Sequence, residues 1–278
     1  MPELPEVETV ARQLAGPLTG RVVRRCEILD PLLRKRKTPP LAGRQVVGVT
    51  RSGKRVLIEL SATRGRAPLW LAVHLRMTGR LLFSERDKPC VEHLRARFRL
   101  DRGQLLFLDT RRFGTFNWFA SAAEAAPDGL EPLSPELTPA VLARLLHGST
   151  QQLKAWLLRQ DRLVGLGNIY ASEILHTARL SPFREAGSLD RNEVRRLHSA
   201  TRRILARAIR NCGTTFSDFQ DAHGVEGSYQ QYLAVYDRQG EPCGRCRTSI
   251  ERVVQQQRST YYCPRCSVSS SGRRTDSR

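Results

Sequence analysis

No run of about 18 apolar residues occurs in this 278-residue chain, which excludes a membrane-spanning helix. No apolar core of a secretory signal is present either. Acidic residues are scarce beside basic ones, 27 against 46, which leaves a net charge of +19. Such a field predicts a polyanionic partner. Nucleic acid ranks ahead of a membrane surface, because no basic amphipathic anchor stands out. Lysine is rare within the basic set, and the dominant arginine favours forked contacts to phosphate. Methionine is rarer still, with Met77 the only internal one. No internal repeat is apparent. Cysteine outside the C-terminal region occurs only singly, at Cys26, Cys90 and Cys212, which read as ordinary thiols.

What is present is enough for two domains with real cores: 40% hydrophobic residues and 26% charged ones, as in soluble globular proteins. Past Met1 the chain reads Pro2-Glu3-Leu4-Pro5-Glu6-Val7-Glu8. Part of this is a helix start. Pro5 suits the first turn, Glu6 and Glu8 suit the positive end of the dipole, and Val7, Val10, Ala11 and Leu14 make one apolar face before Gly16. Pro2-Glu3 is not explained that way. With Met1 removed, Pro2 is a secondary amine, and backbone amines titrate near ~7.7–8.0 against ~10.4 for lysine. A sizeable minority is then unprotonated at neutral pH and can attack an electrophilic carbon, with the adjacent carboxyl to move protons.

Residues 20–120 read mainly as strands, at 44–50, 55–60, 69–73, 96–100 and 104–108, with a turn at Asp101-Arg102-Gly103. Short strands at this spacing predict a sandwich or barrel. Residues 127–137 form the best linker. Beyond it the period becomes helical. Thr138-Pro139 opens one helix, and Asp190-x-x-Glu193 opens a long one with Arg195, Arg196, Arg202, Arg203, Arg207 and Arg210 on its polar face. A tail from Ser267 to Arg278, rich in Ser and Arg, is expected to be disordered.

Cys243-Gly-Arg-Cys246 and Cys263-Pro-Arg-Cys266 lie sixteen residues apart. Four thiolates on two tight knuckles close a tetrahedron around one Zn²⁺, and the insert suits a hairpin. A filled tetrahedron leaves no open position, so the ion is structural, and it points to a reducing, intracellular compartment. The same hairpin places Arg258 where a rigid element can present it to DNA. Leu163-Val-Gly165-Leu-Gly167-Asn168-Ile-Tyr170 sets two glycines before a helix, a weak phosphate-binding signal that gains weight from the charge and the ribbon.

Together these residues resemble the formamidopyrimidine-DNA glycosylases, from Pro2 to Cys266. Pro2 to Glu8 resembles the family's opening, and Leu4-Pro5 favours this branch over the related endonuclease VIII. Gly53-Lys54 resembles the active-site lysine segment. His74-Leu-Arg-Met77-Thr-Gly79 and Asp109-Thr-Arg111-Arg112-Phe113-Gly114 resemble the two DNA-probing loops, and Gly165 to Tyr170 the helix-two-turn-helix signature. The resemblance implies an α+β fold. It has an N-terminal β-sandwich flanked by helices (1–126), a helical helix-two-turn-helix domain with a lesion loop (138–232) and a zinc β-hairpin finger (233–267). It also implies a monomeric, cytoplasmic, nucleoid-associated enzyme that excises oxidised purines from duplex DNA through a Pro2 Schiff base and nicks the site by β,δ-elimination.

The resemblance assigns roles. Glu3 donates the proton that aids sugar ring opening, and Lys54 contacts phosphate and assists elimination. Arg258 is tied to the later elimination, and Glu6 supports the site. Met77 and Arg111 fill the vacated stack and Phe113 wedges beside the orphaned base, while His93, Lys154, Asn168 and Tyr170 match DNA or lesion contacts. Thr214 to Tyr229 resembles the loop over an everted 8-oxoguanine. Arg76, Arg95 and Arg159 depart from the family's usual glycine, histidine and acidic residue, and each is expected to add positive charge near DNA-facing segments. Two rivals stay open: a relative that prefers oxidised pyrimidines, and a zinc-containing DNA-binding protein without catalysis.

Overall fold

The computed structural model describes residues 1–35, 38–63, 65–87, 91–214 and 227–267. The expected disordered tail (268–278), most of the lesion loop (215–226) and Cys90 lie outside them. The chain divides into two compact units, Met1–Pro127 with Ala208–Gln230, and Asp128–Arg207 with Gln231–Arg278.

The first unit opens with helix α1 (Leu4–Leu18), which buries Leu4, Val7, Val10, Ala11, Leu14 and Leu18. It runs past Gly16, because burial of Leu18 outweighs the propensity cost of one glycine. Eight strands follow: β1 (Val23–Ile28), β2 (Val46–Ser52), β3 (Arg55–Leu60), β4 (Leu69–His74), β5 (Gly79–Ser84), β6 (Leu94–Leu100), β7 (Gln104–Asp109) and β8 (Thr115–Phe119). They make two four-stranded antiparallel sheets, ordered β1-β6-β7-β5 and β2-β3-β4-β8. One apolar core draws on both sheets and on α1. Inward positions alternate along β3, where Val56, Ile58 and Leu60 are buried, as a sheet packed on one face requires. The β6–β7 turn needs its glycine. Gly103 has φ +76°, and a Cβ there would sit 2.7 Å from the Ser84 carbonyl. A four-residue helix α2 (Ala122–Ala125) closes this part, and Arg55 Nη2 donates to its Ala125 carbonyl at 2.8 Å.

The second unit is built on α3 (Pro139–Leu146), α4 (Leu153–Leu157) and α5 (Asn168–Ala178), with most of α6 (Arg191–Arg210), and then the hairpin of β9 (Glu251–Gln255) and β10 (Arg258–Tyr262). Thr138 caps α3 by accepting the Val141 amide at 3.2 Å. Asp190 and Glu193 form a reciprocal capping box at the start of α6, at 2.8 and 2.9 Å. Residues 128–137 are tied into this unit. Leu130 exchanges hydrogen bonds with Arg162 and Val164, and Leu137 is buried. Some arginines on the polar face of α6 are also committed: Arg202 donates to the Leu133 and Ser134 carbonyls and Arg196 to that of Ala178. Among the described residues no helix is long and apolar enough to cross a membrane.

The sequence boundary of 138–232 and the observed division differ at Ala208–Gln230, which belongs with the first unit. The reason is local. Glu6 accepts from the Thr214 amide at 2.7 Å and from its hydroxyl at 3.1 Å.

Candidate active site and DNA-facing loops

Pro2 and Glu3 are buried at the start of α1, with Glu3 as its N-cap. Glu6, 2% exposed, accepts from the Glu3 amide through Oε2 at 2.9 Å and from Thr214 through Oε1. One carboxylate thus fixes the backbone beside Pro2 and the residue that leads into 215–226. Gly213 permits this approach: its φ is +74°, and a Cβ would meet Glu6 Oε1 at 2.6 Å.

Lys54 is buried in the tight turn between β2 and β3, beside Gly53 at φ +60°. Arg51 Nη1 donates to the Gly53 carbonyl at 3.0 Å, while Arg51 Nε reaches Glu8 on α1 at 2.8 Å. His74 ends β4 opposite Arg55 and Thr115. Burial first, then the charges of Arg76, Lys54 and Arg55, push its pKa down to about 3. Its Nδ1 accepts from the Arg76 amide at 3.0 Å, so the proton of the neutral ring sits on Nε2, which can donate to an anion.

The loops 74–79 and 109–114 are cross-braced. Thr78 Oγ1 donates to Asp109 Oδ1 at 2.5 Å and accepts from the Arg111 amide at 3.0 Å, and Asp109 Oδ2 takes the Gly114 amide at 2.7 Å. Asp109 N donates to the His93 carbonyl at 3.0 Å. From this frame Met77 stands 41% exposed and Phe113 52% exposed, large apolar side chains left at the surface. The Arg111 guanidinium lies over the Phe113 ring at 4.8 Å. Apolar and cationic side chains on a braced frame are what filling a vacated base stack needs.

The second unit carries the remaining candidates. Arg258 is exposed at the start of β10, after the left-handed pair Gln256-Gln257 (φ +48° and +61°) that a two-residue hairpin turn demands. Two candidates lie inside the fold. Lys154 is 1% exposed, and its ammonium donates to the Ser259 carbonyl at 2.7 Å and to Thr260 Oγ1 at 2.8 Å. Asn168 Nδ2 donates to that same carbonyl at 2.9 Å. Lys154 therefore braces the hairpin from inside. Tyr170 is also wholly buried, so its ring belongs to the core. Glu173, nearly as buried, accepts from the Ala234, Val235 and Tyr236 amides and anchors the chain ahead of the cysteines.

The four Sγ atoms of Cys243, Cys246, Cys263 and Cys266 lie within 4.8 Å of one another. The recorded pairs are at 3.4, 3.5 and 3.8 Å. A tetrahedron with Zn–S bonds of about 2.3 Å sets sulfurs about 3.8 Å apart, so the donor set fits one zinc ion. Arg245 N and Cys266 N donate to the Cys243 and Cys263 sulfurs, as knuckle turns do around thiolates. Burial pushes the Cys266 thiol up to about 12, while hydrogen bonding with Thr248 pulls Cys246 down to about 6; a dication brings all four to thiolate.

Comparison with known proteins agrees along the chain. Residues 1–116 match the pattern of the formamidopyrimidine-DNA glycosylase N-terminal domain, 129–220 that of the formamidopyrimidine-DNA glycosylase H2TH domain, and 240–268 the zinc finger found in FPG and IleRS. A formamidopyrimidine-DNA glycosylase of Symbiobacterium thermophilum is 46% identical over 96% of this chain and 89% of its own. The chain belongs to the formamidopyrimidine-DNA glycosylase family. Among solved structures, MutM (FPG) of Thermus thermophilus matches with a TM-score of 0.83 at 40% identity, covering 95% of this chain and 98% of the other. A mutant of Lactococcus lactis FPG in complex with Fapy-dG-containing DNA matches with a TM-score of 0.83 at 31% identity over 95% and 99%.

As a formamidopyrimidine-DNA glycosylase, the chain is a zinc-finger DNA repair enzyme, and its four cysteines bind one structural zinc ion. Sequence reasoning quoted His74 and Asp109 within motifs but gave them no role. Position at a strand end was the available signal for both. The family departures also look different in three dimensions. Arg76, at φ +56°, takes the left-handed backbone that explains a glycine there. Arg95 donates to the Asp109 carbonyl at 2.8 Å, and Arg159 forks onto Asp161. Of these two charges only that of Arg159 is paired with a carboxylate of its own segment, while Arg95 shares Asp30 with Arg112.

Proposed function

We propose that this chain excises oxidised purines, 8-oxoguanine and formamidopyrimidines, from duplex DNA through a Schiff base on Pro2, and then nicks the strand at the abasic site. The observation that carries this is the terminus itself. Pro2 and Glu3 are buried ahead of a helix whose Glu6 holds the Glu3 backbone at 2.9 Å. Removal of Met1 turns the Pro2 amide nitrogen into a secondary amine of near-neutral pKa. The solved relative bound to Fapy-dG-containing DNA supports the lesion class.

In this reading Met77 and Arg111 occupy the gap left by the everted nucleotide, and Phe113 wedges the opposite strand. The Pro2 nitrogen bonds to C1′, and the glycosidic bond breaks with its electron pair leaving on the base, which takes up a proton. Glu3 gives a proton to the ring oxygen as the sugar opens to an iminium. Loss of the acidified C2′ proton expels the 3′ phosphate, and loss of the C4′ proton expels the 5′ phosphate. Lys54, His74 Nε2, His93 and Asn168 bind phosphate or lesion, and Arg258 assists the second elimination. The zinc ion holds the hairpin. The enzyme acts as a monomer, in the compartment that holds DNA and keeps thiols reduced.

Borohydride reduction tests the reading directly. The processed chain is expected to be trapped covalently on an 8-oxoguanine duplex in preference to a thymine-glycol duplex, and Pro2→Gly or terminal acetylation to abolish trapping. Trapping that survives a blocked terminus refutes the Pro2 mechanism, and a preference for thymine glycol refutes the lesion class.

A further inference from the structure

Asp30 lies two residues past the end of β1, outside every motif of the sequence, and its side chain is only 2% exposed. Its two oxygens take a fork from Arg112, Nε to Oδ2 at 2.8 Å and Nη2 to Oδ1 at 2.9 Å. The Leu32 amide also donates to Oδ1 at 2.9 Å, and Arg95 Nε stands 3.8 Å from Oδ2. Arg112 is the middle residue between the two exposed gap-filling side chains, Arg111 and Phe113. Its backbone is left-handed, at φ +60°, where a side chain with a Cβ is strained.

We propose that Asp30 is a positioning residue for gap filling: by anchoring Arg112 it locks the 111–113 backbone in the conformation that presents Arg111 and Phe113 to the vacated stack. Asp109 holds the two ends of this loop, through Thr78 and Arg111 on one side and Gly114 on the other. Nothing in that frame fixes the middle, and the fork onto Asp30 does. Arg95 links both anchors, because the guanidinium beside Asp30 also donates to the Asp109 carbonyl at 2.8 Å. A planar guanidinium on a carboxylate has one preferred geometry, so the contact dictates orientation as well as attraction. A wedge held in place before DNA arrives avoids the ordering cost that a mobile loop incurs on insertion.

The proposal rests on the base-eversion reading, and the test separates the two. A single-stranded abasic oligonucleotide has no stack to refill, whereas an 8-oxoguanine duplex does. Asp30→Asn, which keeps the shape and removes the charge, is expected to lower kcat/KM on the duplex about ten- to a hundredfold, the scale of a misplacement of about an ångström. Borohydride trapping on the single strand is expected to stay at the wild-type rate. Arg112→Lys, which keeps the charge and loses the fork, is expected to show the same split, and Asp30→Asn/Arg112→Lys to lose no more than either single change. Unchanged duplex activity in Asp30→Asn overturns the proposal. So does an equal fall on both substrates, or a fall that tracks a lowered melting temperature in both variants. A wild-type chain trapped on neither substrate removes the base-eversion reading, and the proposal with it.

Discussion

Glu6 Oε1 accepts the Thr214 amide at 2.7 Å across 208 residues of sequence. The same carboxylate takes the Glu3 amide at 2.9 Å, so one buried side chain joins the backbone beside Pro2 to Thr214.

Glu6→Ala leaves these buried donors without a partner, at about 1–3 kcal/mol for each orphaned group. Thermal denaturation is expected to show a fall of several degrees, with Glu6→Gln falling less because one acceptor oxygen survives. Gly213→Ala should be as damaging as Glu6→Ala, because the methyl group meets Oε1 at 2.6 Å on a backbone with φ +74°. A melting temperature unchanged by Gly213→Ala would show that the grip on Thr214 is not rigid.

The family resemblance implies that Lys154 touches DNA, and its burial makes that a measurable difference from Arg258. Each phosphate contact adds about 0.9 to the slope of log affinity against log salt on duplex DNA. Arg258→Ala is expected to reduce that slope by about 1. Lys154→Met should leave the slope alone and instead lower hydrogen-exchange protection along β10, because the Ser259 carbonyl loses its ammonium donor. A slope lowered by Lys154→Met would return that residue to the interface.

The parts that sequence made legible are those whose signal is local. The zinc site is two C-x-x-C pairs, and the observed sulfur cluster follows from knuckle geometry that any such pair adopts. Strands β2, β3, β4 and β7 show in the sequence as runs rich in Val, Ile, Leu and Phe, and β6 as an alternation of Leu, Ala and Phe with arginine. Strands β1, β5 and β8 do not: β1 carries Arg24, Arg25 and Glu27 within six residues, β5 opens on Gly79, and β8 is five residues long. Each is held by its neighbours, which a linear pattern does not encode. The same holds for the site. Pro2-Glu3 stands out as chemistry, whereas Asp30–Arg112 and Glu6–Thr214 join residues 82 and 208 positions apart.

The zinc hairpin has only a small apolar core of its own. Its core is Val235, Ile250 and Tyr261 beside the cysteines, too small to stand alone. Chelation or Cys246→Ser is expected to remove the ion and weaken DNA binding. The melting of the first unit, whose separate core spans two sheets and α1, should be retained. A Cys246→Ser chain with unchanged zinc content would contradict the four-thiolate site.

Two histidines, His74 half-buried and His176 buried, are expected to shape the acid side of the stability profile. Burial and then nearby cations push His74 down to about 3, and burial and then Arg245 push His176 down to about 4. An unfolded chain binds protons at both near pH 6.5, while the folded chain stays neutral there. Between these values the unfolded state carries more protons, so stability rises with pH and is lost as pH falls from about 6.5 toward about 4. His74→Gln removes one of the two groups and should flatten that slope, with little change in melting temperature above pH 7. Melting curves from pH 4.5 to 8 decide it: a slope unaltered by His74→Gln would mean that His74 binds its proton equally in the folded and unfolded chain, and therefore that the fold does not depress its pKa.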